Sequence, residues 1–302
     1  MAALLSLLPF SAGNAAPVDA EHLTVELVAE STALAPGGSA WLGLRLKHDP
    51  HWHTYWINPG DSGLPTKLAW RVPPGYAVDE IAWPAPQRLR VGELHNFGYD
   101  GEMLLPVRVT VPAGAQPGER ASFALDANWL VCEEECIPGK ATLSLDLPIA
   151  AAPAPDPRWQ ALFAAAHAAQ PQAVDWTGAA TAHGDAVEIR LTGANLPPLE
   201  ALDAFAVPEQ VLANTAMTFA RDGDALVATA ARSEYFDKSK MPQTLDLVVV
   251  SRAEGVRAWR TRVAWREVEQ TAAAASAPPH PSRRTKAVWR SRSRSHCSAA
   301  CS

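Results

Sequence analysis

The stretch that decides the fold is Val131-Cys132-Glu133-Glu134-Glu135-Cys136-Ile137-Pro138-Gly139, flanked by Phe123–Val131 and Ala141–Ile149. On its downstream side Leu143, Leu145, Leu147 and Ile149 alternate with Thr142, Ser144 and Asp146. Period two places alternate side chains on opposite faces, the signature of a half-buried strand. Three residues between the cysteines suit a hairpin-like loop joining two such strands. Facing Cα atoms in an antiparallel pair lie roughly 4.5–5.5 Å apart, within disulfide reach.

The same alternation recurs outward from the hairpin. Ala40, Leu42, Leu44 and Leu46 share one face against Trp41, Arg45 and Lys47, and Leu105, Val107, Val109 and Val111 form another row. Turn signals separate the runs: Pro36-Gly37-Gly38, Asn58-Pro59-Gly60-Asp61, Pro73-Pro74-Gly75, Pro112-Ala113-Gly114 and Pro138-Gly139. Short strands punctuated in this way predict an immunoglobulin-like β sandwich over residues 17–150. Residues 151–172 form a linker: an Ala/Pro run, then Ala-rich Arg158–Gln170, a short helix that Pro171 stops. Alternation resumes over 173–269, in Val187/Ile189/Leu191, Leu245/Leu247/Val249 and Trp259/Thr261/Val263/Trp265. A second β sandwich without cysteine is expected there. The fold class is therefore all-β, two sandwiches joined by a short helical linker.

The ends read differently. An apolar run from Ala2 to Phe10, followed by small residues up to Ala16, has the form of an export signal over residues 1–16. Residues 270–302 are rich in Ala, Pro, Ser and Arg and are expected not to fold alone. This basic tail is read as a frameshift product ending where a membrane helix would begin, or as a genuine tail. Cys297 and Cys301 repeat the three-residue spacing within it, a coincidence of low complexity.

The chain has 302 residues and a formal charge of −6. Six basic side chains and no acid lie in 271–302. The remaining 20 of 26 basic side chains face all 32 acidic ones in residues 1–270, a net −12. An acidic body argues against a nucleic-acid surface.

Cys132 and Cys136 are the only cysteines of the body. A disulfide that closes so short a ring removes little chain entropy, so the pair suits redox cycling better than holding the fold. Glu133, Glu134 and Glu135 between the thiols are expected to disfavour thiolate and raise the cysteine pKa. Three other readings compete. One is a permanent structural disulfide in a non-catalytic interaction domain. Another is a copper or zinc module drawing on His48, His51, His53 and His95. The third is an incidental pair. A lone C-x-x-x-C is weak for zinc, which wants four ligands. His51 and His53 are the metal candidates, with no ligand geometry to fix them, and no cofactor is assigned.

Further motifs carry a resemblance. Trp52-His53-Thr54-Tyr55-Trp56-Ile57-Asn58-Pro59-Gly60-Asp61-Ser62-Gly63, Trp83-Pro84-Ala85-Pro86, Phe97-Gly98-Tyr99-Asp100-Gly101-Glu102 and Trp129-Leu130-Val131-Cys132 through Gly139 occur in order. Across about 40–150 they resemble the periplasmic N-terminal region of DsbD-like protein-disulfide reductases, in particular the ScsB branch linked to copper tolerance. That resemblance implies a periplasmic electron relay. A membrane domain, absent from this chain, supplies electrons to an immunoglobulin-like domain. The latter reduces disulfides of thioredoxin-fold isomerases or reductases. Carried over, Cys136 is the attacking cysteine and Cys132 the resolving one. Phe97, or Tyr99, matches an aromatic cap loop over the pair, with Gly98 and Gly101 as hinges. The three-residue spacing is shorter than in the best-known DsbD proteins, which bears on potential and partner choice.

Overall fold

A computed structural model describes residues 16–268. The proposed export segment up to Ala15 and the basic tail with Cys297 and Cys301 lie outside the described residues.

The first lobe has eleven strands: β1 Val18–Ala20, β2 Leu23–Ala29, β3 Ser39–His48, β4 His53–Gly60, β5 Lys67–Arg71, β6 Ala77–Ile81, β7 Gln87–Val91, β8 Leu94–Asp100, β9 Glu102–Thr110, β10 Arg120–Cys132 and β11 Cys136–Pro148. One antiparallel sheet runs β1-β2-β3-β9-β6 and the other β11-β10-β4-β8-β7, with β5 also pairing β10. Leu42, Leu44 and Leu46 of β3 and Val109 of β9 meet Phe123, Leu125, Ala127, Trp129 and Val131 of β10, with Leu143, Leu145 and Leu147 of β11. These are the period-two positions read from the sequence. Burying each fully is worth about 1.5–3 kcal/mol, which is why the pattern fixes the faces.

Two segments that read as turns are strand. Asn58, Pro59 and Gly60 end β4, with an irregularity in the pairing between Tyr55 and Gly60, and the chain turns only at Asp61. Proline is tolerated where a ladder is interrupted. Pro138 and Gly139 lie within β11, because Gly139 pairs with Trp129. A Cβ on Gly139 would stand 2.3 Å from the indole nitrogen of Trp129, so this position needs glycine for close approach rather than for turning.

Helix α1, Gln160–Ala168, falls inside the Ala-rich segment and ends before Pro171. It lies against the outer face of the first sheet: Phe163 and Ala166 are buried with Val28 of β2 and Leu104 of β9. The linker helix therefore belongs to the first lobe's packing.

The second lobe contributes β12 Gln172–Ala173, β13 Thr177–His183, β14 Ala186–Thr192, β15 Leu202–Ala206, β16 Thr218–Asp222, β17 Ala225–Ala231, β18 Thr244–Ser251 and β19 Arg257–Glu267. Pairing is continuous along β15-β18-β19-β13-β14-β17-β16, with β12 on β19. Val187, Ile189 and Leu191 share a core with Leu245, Leu247, Val249, Val263 and Trp265, again the alternating positions of the sequence.

The lobes share apolar packing. Phe205 of β15 is fully buried within the first lobe's cluster, its ring 5.0 Å from Phe97 and 6.1 Å from Trp56, both edge-on. Arg88 of β7 lies over both Phe97 and Phe205, at 4.9 and 5.0 Å, and pairs with Asp203 at 2.7 Å. Asn58, 2 % exposed, donates through Nδ2 to the Ala206 carbonyl at 2.8 Å. The second lobe thus holds the inner face of β4 and β8.

Candidate functional site

Cys132 ends β10 and Cys136 begins β11, so the two face each other as the last pair of the hairpin ladder. They form a disulfide with Cα atoms 4.2 Å apart. Glu133, Glu134 and Glu135 make the exposed tip. The two cysteines are unequal: Cys132 is 2 % exposed, whereas Cys136 is an exposed residue.

Strand parity explains the surroundings. Trp129 and Val131 point into the sandwich core, so Cys132 points to the outer face of its sheet. Cys132 pairs with His53 on β4, and His53 pairs with Asp100 on β8. A single row across four strands therefore reads Cys136, Cys132, His53, Asp100. Tyr55, two residues beyond His53, shares this face. Its hydroxyl stands 3.4 Å from Cys136 Sγ, and its ring lies 5.2 Å from the His53 ring, edge-on.

Tyr55 is covered by the segment after β4. A Cβ on Gly63, whose φ is +96°, would stand 2.2 Å from Tyr55 Cζ, so the glycine backbone lies directly on the phenol ring. Ser62 is tied to Asn96 Oδ1 through both its N–H, at 3.2 Å, and its hydroxyl, at 3.1 Å. Leu64, next along, is 58 % exposed beside this cover.

The polar groups beneath are buried. Burial pushes the Tyr55 phenol above its ordinary range, so it remains a hydrogen-bond donor toward sulfur. His53 is 4 % exposed and its Nε2 has no hydrogen-bond partner. Burial, reinforced by nearby His48 and opposed by Asp100, lowers its pKa to about 4. His48 is also buried and lowered, chiefly by desolvation. Its Nδ1 donates to the Gly101 carbonyl at 2.7 Å, and the Thr54 hydroxyl donates to its Nε2 at 3.0 Å. The carbonyl partner assigns the Nδ1–H tautomer.

The expectation that Phe97 or Tyr99 caps the pair from a loop is corrected. Both lie in β8, and the pairing of Tyr55 with Gly98 and His53 with Asp100 puts residues 97 and 99 on the opposite face. Phe97 packs on Phe205, and the buried Tyr99 hydroxyl donates to the Pro84 carbonyl at 2.7 Å. The aromatic residue at the sulfurs is Tyr55. Its only signal in sequence was its place two residues after His53 on an apolar strand, which reads equally as core. Of the metal candidates, His51 is exposed at a turn with φ +75°, and His53 lies buried beside Cys132. Among the described residues no three His, Cys, Asp or Glu side chains group in a metal-holding cluster. No helix of the described residues is long and apolar enough to cross a membrane.

Residues 22–148 match the family model described as thiol:disulfide interchange protein DsbD, N-terminal. Among solved structures, the N-terminal periplasmic domain of ScsB from Proteus mirabilis superposes with a TM-score of 0.63 at 20 % identity, covering 84 % of this chain and 99 % of that one. That likeness is one of fold, and it extends over both lobes. A protein of unknown function from Porphyromonas gingivalis W83 gives a TM-score of only 0.24, at 15 % identity over 81 % of this chain and 100 % of the other. No curated protein sequence matches the chain.

Proposed function

From a first lobe that matches the DsbD N-terminal family, we propose that this chain is a periplasmic thiol–disulfide exchange module working through Cys132 and Cys136. The observation that carries the reading is the inequality of the two cysteines at the end of one hairpin. A visiting protein reaches Cys136, while Cys132 is closed off beneath Tyr55 and His53.

In the reduced module the Cys136 thiolate attacks a partner disulfide. One partner sulfur becomes bonded to Cys136 and the other leaves as thiolate. Cys132 then attacks Cys136 Sγ, the Cys132–Cys136 bond forms, and the second partner sulfur leaves. Two electrons pass to the partner with no metal or organic cofactor. Tyr55, donating to Cys136 Sγ, steadies the attacking thiolate and offsets the acidic tip. Glu133, Glu134 and Glu135 form a charged rim that selects partners with basic surroundings. The partner class is a periplasmic thioredoxin-fold isomerase or reductase, and electrons come from a membrane reductase domain.

The test is trapping. With Cys132→Ala, a mixed disulfide at Cys136 is expected to accumulate in periplasmic extract and to disappear under dithiothreitol. With Cys136→Ala, no adduct is expected, because Cys132 is enclosed. Absence of adducts from both variants, in protein that is folded and reduced, refutes the exchange role and leaves a structural bond. Such a bond would also show a potential below about −300 mV.

A further inference from the structure

A buried sulfur that must become a nucleophile needs somewhere to put its proton. Cys132 is enclosed, so water does not serve it freely, and a lone thiolate there would carry the cost of an unpaired buried charge. The side chain directly across the ladder is His53, on the same face by strand pairing. Its Nε2 is buried and has no partner, in a site where the neighbouring His48 has both ring nitrogens satisfied. An orphaned buried nitrogen costs stability, about 1–3 kcal/mol for such groups, and a replacement by an apolar ring would remove that cost.

We propose that His53 is the proton partner of Cys132. This rests on the exchange reading above and adds the residue that makes its second step work. As Cys132 attacks Cys136 Sγ in the mixed disulfide, its thiol proton passes to His53 Nε2. The Cys132–Cys136 bond forms, the bond from Cys136 to the partner breaks, and the partner sulfur departs with the electron pair. The imidazolium then gives its proton to that sulfur or to water. In re-reduction the path reverses: a donor thiolate attacks Cys136, and Cys132 leaves as thiolate beside the histidine.

The charges around His53 fit this timing. From β8 it faces Asp100, whose carboxylate is held by Gln87 Nε2 at 2.9 Å and favours an imidazolium. From β3 it faces His48, which disfavours one, and on its own strand Tyr55, which is uncharged. From β10 and β11 it faces the cysteines, with the three glutamates farther out at the tip. In the disulfide form Asp100 is the one negative group that faces it, and burial outweighs that attraction and keeps it neutral. A thiolate at Cys132 adds a second counter-charge to that of Asp100, so the two ionise as a pair.

A stoichiometric reaction of reduced protein with an aromatic disulfide, dithiobis-nitrobenzoate, separates the steps. The first coloured thiolate reports attack by Cys136 and depends on concentration. The second reports closure by Cys132 and does not. His53→Gln is expected to slow the second phase at pH 7 by about 10²-fold, the low end for a general base, while the first stays within about threefold. The wild-type second phase is expected to be nearly flat between pH 6 and 8. The variant's is expected to rise about tenfold per pH unit, following free thiolate. A second phase with unchanged rate and slope overturns the role of His53. A wild type that gives no second phase refutes the exchange reading itself.

Should His53→Gln not fold, nuclear magnetic resonance on Cys136→Ala, which frees Cys132, decides the matter. The His53 imidazole and the Cys132 Cβ are then expected to titrate with one common midpoint. Independent midpoints overturn the proposal.

Discussion

Tyr55→Phe removes one oxygen from the site and leaves the ring that Gly63 lies on. In the disulfide form the lost contact, hydroxyl to Cys136 Sγ at 3.4 Å, joins two neutral groups and its loss costs stability about 1 kcal/mol or less. In the reduced form the acceptor is a thiolate, and a hydrogen bond to a charged group is worth about 1.5–3 kcal/mol. At about 1.4 kcal/mol per pKa unit, the Cys136 thiol is expected to rise by about one to two units. The shift is read from the thiolate absorbance at 240 nm in a Cys132→Ser background, with and without Tyr55→Phe. The rate consequence is smaller than the shift. Each unit cuts the thiolate fraction about tenfold near neutrality, but the more basic thiolate is about threefold more nucleophilic. Attack on an aromatic disulfide at pH 7 should therefore slow by about three- to twelvefold. A pKa that moves by less than about 0.3 unit would show that the phenol does not solvate the sulfur, and the account of Tyr55 would fall.

Three further outcomes are expected. Phe205→Ala empties a fully buried site between the lobes, and is expected to cost about 3–5 kcal/mol in urea unfolding; a loss under about 1 kcal/mol would mean that the second lobe does not brace β4 and β8. Gly63→Ala combines a φ of +96° with a Cβ driven into the Tyr55 ring, so it should destabilise by about 2 kcal/mol or more and speed alkylation of reduced Cys132, whereas wild-type protection of Cys132 would show that this backbone is not the cover. Acid should weaken the fold before the carboxylates titrate. The His53 pKa is lowered to about 4 in the fold against about 6.5 in the unfolded chain, so the unfolded state binds the extra proton. The stability it provides is complete above pH 6.5 and falls as pH drops toward 4, by about 2 kcal/mol at pH 5. His48 adds in the same direction, and His53→Gln should flatten the slope between pH 7 and 5; an unchanged slope would mean that His53 is not held neutral.

Much of the first lobe was legible because burial writes itself as period two: Leu42/Leu44/Leu46, Phe123 through Val131, and Leu143/Leu145/Leu147 all occupy the faces that their alternation requires. The cysteine pair was legible because both residues are close in sequence and bracketed by strands. Turn chemistry misled at Asn58-Pro59-Gly60 and Pro138-Gly139, where proline and glycine serve an interrupted ladder and a close aromatic approach. The aromatic cap was misplaced for a related reason. Phe97 and Tyr99 are near the cysteines along the sheet, but which face they occupy depends on how β8 pairs with β4, and a one-residue change of register exchanges the faces.

The amino-acid sequence by itself determined the alternating runs of β3, β9, β10 and β11, their inward faces and the cysteine pair, since these follow from local periodicity and short-range spacing. Only the tertiary structure decided that Cys132 is enclosed and Cys136 open, that Tyr55 and His53 flank them, and that Phe205 from the second lobe supports the strand carrying both. Those facts depend on register between residues as far as 81 positions apart and on contact between lobes, and pairing across such distances leaves no local pattern for a single chain to display.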